Sequence, residues 1–157
     1  MSVEVHDYAS VAGKLREFGL SAPQGLALLP DNLAMATSRS ELRQQVEADT
    51  VRTLLRINGI HHEEVFGREH QPAYLEQYAH EWFGPTIYVA FGMMSSNPDI
   101  ISIVTNLISN YLYDFFKGKT KGKVSLNVIY ENADGTCKRI EYSGTAEGMN
   151  AIPKIIR

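Results

Sequence analysis

The densest group of chemistry-bearing side chains lies between His61 and Glu81, where His61, His62, His70 and His80 stand among Glu63, Glu64, Glu69, Glu76 and Glu81. Neutral imidazoles and carboxylates are the ligands that zinc and other divalent metals take, and a metal-held water would give such a segment hydrolytic power. A metal-dependent hydrolase or nuclease using His61, His62, His70 and a nearby glutamate is therefore one expectation. Spacing argues against it. The H-E-x-x-H pattern sets two histidines one helical turn apart, whereas His80-Glu81 is followed by Trp82-Phe83-Gly84. A solvated loop and a polar helix face explain these residues more simply, and no catalytic residue or metal ligand is assigned.

A second candidate is Gly92-Met-Met-Ser-Ser-Asn97, a small-residue stretch placed as a loop before a helix. Helix N-termini offer free N–H groups and a positive dipole that suit phosphate or carboxylate. Ser95, Ser96 and Asn97 are thus the anion-binding candidates of a small-anion or nucleotide binder. No G-x-x-x-x-G-K-[ST] or G-x-G-x-x-G motif accompanies them, so no cofactor is implied, and helix capping by Ser96 or Asn97 is the plainer role. Lys117, Lys119, Lys121 and Lys123 form a basic run without interleaved aromatics, which argues against a nucleic-acid platform. Arg56 and His61 match the R-x4-H spacing of the HEPN ribonucleases by chance, since Asn58-Gly59 ends a helix between them.

The element that organises these groups is Pro98 to Lys117. Ile100, Ile103/Val104, Leu107/Ile108, Tyr111/Leu112 and Phe115/Phe116 recur at the three-and-four spacing of a helix with one wide buried face. Asn97 is suited to the N-cap, Pro98 to the first turn and Lys117-Gly118 to the stop. The opposite face carries Ser102, Thr105, Asn106, Ser109, Asn110 and Tyr113, with no charge between Asp99 and Asp114. Such a face suits a covering partner, so Ser102, Asn106, Ser109, Asn110 and Tyr113 are the partner-binding candidates.

Around this helix the sequence predicts a short strand at Val3 and Val5, a helix from Tyr8 to Phe18 and a buried strand in Gly25–Pro30. Ser38-x-x-Glu41 reads as a capping box opening a helix at Arg39, with Leu42, Val46, Thr50, Leu54 and Ile57 as its inner stripe. A second helix runs from Pro72 to Phe83, stopped by Gly84-Pro85. Thr86 to Phe91 lacks alternation and reads as a central strand buried on both faces. Val124, Leu126, Val128 and Tyr130 alternate into a strand, and the Asp134-Gly135 turn returns a second one through Ile140 and Tyr142. A terminal helix from Thr145 to Ile156, with Met149, Ile152 and Ile156 at helical spacing, is split at Pro153.

The expected fold is α+β, a single domain over residues 1–157. Its C-terminal segment, 86–157, reads β-α-β-β-α with the long helix at 98–117 as crossover, and the helix-rich segment of residues 1–85 packs on it. Length agrees, since 157 residues suffice for one core. The net charge of −3 divides into 7 basic and 12 acidic residues up to Trp82, then 8 basic and 6 acidic, so neither half has a nucleic-acid binder's charge. A lone cysteine, Cys137, excludes an internal disulfide and suits a reducing compartment. The N-terminus lacks the pattern of a signal peptide, and no stretch reads as membrane-spanning, so the cytoplasm is the expected location.

From Thr86 onward the order of apolar strand, long amphipathic helix, V-x-L-x-V strand (Val124, Leu126, Val128), Asp134-Gly135 turn and short final helix resembles the small effector-associated components of bacterial conflict systems. That resemblance implies a non-catalytic adaptor. Together with the uncharged helix face it leads to the expectation of a non-enzymatic interaction or regulatory module that binds a protein partner or forms a homo-oligomer.

Overall fold

Strand pairing decides the architecture. The computed structural model describes residues 2–75, 81–117 and 122–156. Its strands are β1 (Ser2–Tyr8), β2 (Leu26–Leu29), β3 (Arg43–Gln45), β4 (Ala73–Leu75), β5 (Glu81–Val89), β6 (Lys123–Glu131) and β7 (Cys137–Gly144). Five of them form a mixed sheet in the order β1-β7-β6-β5-β2, and β3 pairs with β4 in a separate parallel ribbon. The helices are α1 (Val11–Glu17), α2 (Glu47–Ile57), α3 (Phe91–Ser96), α4 (Ile100–Phe115) and α5 (Ile152–Ile155). The chain is a single α+β domain.

β5 lies inside the sheet, between β6 and the edge strand β2, because Ile87, Tyr88 and Val89 are all apolar and almost fully buried, which requires cover on both faces. It pairs antiparallel with β2 and parallel with β6. A parallel pair needs a long connection, and α3 with α4 provides it. β6 and β7 form the expected hairpin, whose turn uses Gly135 at φ 88°, a left-handed conformation that costs glycine nothing.

Each face of the sheet has its own apolar layer. On one, Leu126, Val128, Ile140 and Tyr142 meet α2 through Val51 and Leu55, α4 through Val104, Ile108 and Leu112, and the terminal segment through Met149 and Ile152. On the other, Tyr88, Ile129 and Cys137 meet α1 through Val11 and Leu15, and loop residues Leu33, Leu42 and Phe66.

Four expectations need correction. The hairpin, whose place after the crossover leads one to expect an antiparallel edge, does not end the sheet, because β1 pairs along the outer side of β7 from Ser2↔Ser143 to Tyr8↔Cys137. The first half is also richer in strand than expected, since it supplies β1, β2, β3 and β4.

The helix expected from Arg39 begins at Glu47; Arg39–Glu41 is one 3₁₀ turn, and Arg43–Gln45 is strand. Glu41 takes its hydrogen bonds from the Thr37 N–H (2.8 Å) and hydroxyl (3.0 Å). Tertiary bonds hold the next residues extended. Arg43 N–H donates to Asn32 Oδ1 (2.8 Å), and the Gln44 amide donates to the Pro72 carbonyl (2.8 Å). The buried stripe of α2 is Ala48, Val51 and Leu55, while Val46 and Ile57 are exposed.

The helix expected from Pro72 to Phe83 is strand at Ala73–Leu75 and again from Glu81; its middle, with Glu76, Tyr78, Ala79 and His80, lies outside the described residues. Gly84 and Pro85 sit inside β5 rather than stopping a helix, and the register with β6 shifts between Phe83 and Thr86. Proline lacks the N–H a ladder needs, so an irregularity at this point is where β5 can carry it.

Candidate functional site

The surface of interest is the outer side of α4. Its inner residues Ile100, Ile101, Val104, Thr105, Ile108 and Leu112 are buried. Thr105 therefore moves from the expected polar face to the covered one, where its hydroxyl returns to the Ile101 carbonyl (2.8 Å) and costs the core nothing unpaired. Ser109 is likewise engaged internally, donating to the Ala146 carbonyl (3.1 Å) in the C-terminal segment. Ser102 is half-buried.

Asn106, Asn110 and Tyr113 remain fully on the surface, joined by Ile103, and Tyr113 is 68% exposed. Asp99 at the N-cap and Lys117 just beyond the C-cap continue the line, both exposed. Asp99, Ile103, Asn106, Asn110, Tyr113 and Lys117 alternate steps of four and three. At 3.6 residues per turn they keep within about 80° of arc, a width comparable to the narrow contact seam of paired helices.

The expected anion loop is α3 itself, the helix Phe91–Ser96. Ser95, Ser96 and Asn97 stand at its C-terminal end, where Asn97 N–H donates to the Met93 carbonyl (2.8 Å) and Ser96 Oγ to the same carbonyl (3.3 Å). Asn97 in turn offers its carbonyl to Ile100 N–H (3.1 Å), and Asp99 takes the cap position of α4. These bonds serve the junction of two helices.

Among the described residues, the histidines of the His61–Glu81 segment join no group of three that could hold a metal, and His80 lies outside those residues. His61 is exposed, His62 lies 3.4 Å from Glu64 Oε1, and His70 is exposed on the 3₁₀ turn Arg68–His70. Glu64 also pairs with Arg52 (3.2 Å). Glu63 is structural: its carboxylate accepts from the Gln24 and Gly25 N–H groups (2.9 and 2.5 Å) and anchors the approach to β2.

Among the described residues, the trio whose ligand atoms all lie within 4.8 Å of one another is instead Glu4, His6 and Glu141, exposed across β1 and β7. Glu141 Oε2 is held by Arg139 (3.1 Å). Glu4-Val5-His6 alternates as a strand should, but its neighbour Glu141 is set by pairing across most of the chain, which no local pattern reveals.

No protein-family model matches this chain, and neither a curated protein nor a solved structure matches it. Among the described residues no helix is long and apolar enough to cross a membrane.

Proposed function

We propose that this protein is a non-enzymatic interaction module whose copies pair through α4. The observation that carries the reading is the symmetry of the exposed seam about position 108. An antiparallel two-fold pairing centred there sets Asp99 against Lys117 of a second copy, Ile103 against Tyr113, and Asn106 against Asn110. Each contact then occurs twice, as an isologous interface requires. The ends attract, the apolar groups meet, and the central amides can bond one another and fix register as buried asparagines do in helix pairs.

Size sets the strength. A seam of about 19 residues is about 28 Å long, and with a helix width of about 10 Å it covers about 280 Å² per copy, below the standard size of specific interfaces and in the range of weak, transient contacts. A weak, concentration-dependent dimer follows, with Kd on the order of tens of micromolar. Such a module responds to its own local concentration, which fits the non-catalytic adaptor role that the resemblance implies.

Light scattering on wild type and Asn106→Arg at about 200 μM tests this, because at that concentration a dimer of this strength is mostly formed. Wild type is expected near the dimer mass and Asn106→Arg, which sets a charge against the Asn110 of each partner, near the monomer mass. Ser109→Ala, altering a residue engaged within its own chain, should leave the mass unchanged. A monomeric wild type overturns the reading.

A further inference from the structure

On the opposite side of the sheet from α4, the surface between the 3₁₀ turns Arg39–Glu41 and Arg68–His70 opens into a cleft of about 330 Å³. Small-ligand sites begin at roughly that volume. The cleft is lined by more polar than apolar surface, and Leu42 and Phe66 of the core layer with buried Pro72 form its apolar part. Arg39, Arg43 and His70 stand around it, and none of the described lining residues is acidic. The nearby carboxylate of Glu41 accepts from Thr37 and also acts on Arg43, so it offsets part of the positive charge there.

The two arginines are prepared differently. Arg43 Nη1 donates to the carbonyls of Ser40 (2.7 Å) and Leu42 (2.9 Å), which fixes the plane of its five-donor guanidinium. Arg39 is exposed and has no ion-pair partner among the described residues. Like charges gathered around a partly apolar hollow repel one another, and an anion entering it removes that repulsion. A rigid guanidinium is also the group best shaped for two-point contact with a phosphate or carboxylate.

We propose that this cleft binds a small organic anion, with a phosphate or carboxylate head on Arg39, Arg43 and His70 and a flat apolar body against Phe66 and Leu42. The site is separate from the α4 seam and does not depend on pairing. It also differs from the anion site expected at Ser95–Asn97, since its charge comes from side chains rather than from a helix end.

Amide chemical shifts of ¹⁵N-labelled protein, titrated with phenyl phosphate, benzoate and inorganic phosphate, test the proposal. At least one aryl anion should give saturable shifts at Ser40, Arg43 and Gln71, with Kd about 1 mM or tighter, and inorganic phosphate should bind roughly tenfold more weakly because it lacks the apolar body. Tighter binding of phenyl phosphate assigns a phosphate head, and tighter binding of benzoate a carboxylate head. Arg39→Glu should weaken the better ligand at least fivefold or so while leaving Tm unchanged, since it alters only an exposed side chain. Absence of saturation by either aryl anion at about 10 mM, or an unchanged affinity in Arg39→Glu, overturns the proposal.

Discussion

Asp31 shows how a half-buried carboxylate is carried in this fold. Its Oδ1 accepts from Thr86 Oγ1 on β5 (2.8 Å) and its Oδ2 from the Gln45 amide on β3, so one carboxylate ties the small ribbon to the main sheet. Burial raises its proton affinity above that of an ordinary aspartate, outweighing the opposite pull of the Gln45 and Thr86 bonds and of Arg139. The folded state then holds more proton than the unfolded chain, so this residue's contribution is fully present below the ordinary value of 3.8 and is lost as pH rises through the raised one. Asp31→Asn stays neutral and removes that dependence. Urea denaturation from about pH 3 to about pH 7 should show wild type losing stability relative to the variant as pH increases. A difference that stays constant across the series contradicts the assignment.

Gly84 tests the elements, because at this position β5 must be both strand and irregularity. A Cβ there would lie 2.5 Å from Trp82 Cζ3 and 2.7 Å from Leu126 Cδ1, both on buried side chains. Gly84→Ala should therefore destabilise by about 1–3 kcal/mol, read as a lowered denaturation midpoint. An unchanged midpoint would mean that the Trp82 ring can move, against its burial. On α4 the two faces should behave differently. Leu112→Ala opens the core and should cost about 2–5 kcal/mol, whereas Tyr113→Ala should change monomer stability by less than about 0.5 kcal/mol.

The elements legible in the sequence were those whose burial has a period. Val104, Ile108 and Leu112 announced α4, the unbroken Thr86–Phe91 run announced a strand buried on both faces, which ends at Val89 with Phe91 already in α3, and alternation announced the β6–β7 hairpin. What local pattern missed was set by distant partners: the Asn32 and Pro72 bonds that keep Arg43–Gln45 extended, the neighbours that make Ala73–Leu75 a strand, and the pairing of β1 with β7. The same holds for the candidate surfaces. Asn106, Asn110 and Tyr113 could be read from helical phase, but the engagement of Ser109 by Ala146 could not. The cleft joining Arg39 and Arg43 to His70 depends on two segments about 30 residues apart meeting, as tertiary structure alone can arrange.

For the whole molecule, the proposed pairing sets the α4 seam of one copy against that of a second, and reversing the seam's terminal charges tests it directly. Asp99→Lys and Lys117→Asp each set like charges against one another at both ends of the pair, while the double variant restores attraction with the signs exchanged. Each single substitution should weaken dimerisation on the order of tenfold, given exposed pairs of about 0.2–1 kcal/mol made twice and turned repulsive. Both also oppose the α4 dipole, so the double variant should have the least stable monomer and yet regain near wild-type pairing. Loss of fold stability cannot imitate that combination. The deciding measurement is sedimentation equilibrium of wild type, both single variants and the double variant at matched concentrations. Strong, weak, weak and restored association is the predicted pattern. A wild type that stays monomeric at about 500 μM, or a double variant no better associated than the weaker single one, contradicts the antiparallel α4 pair.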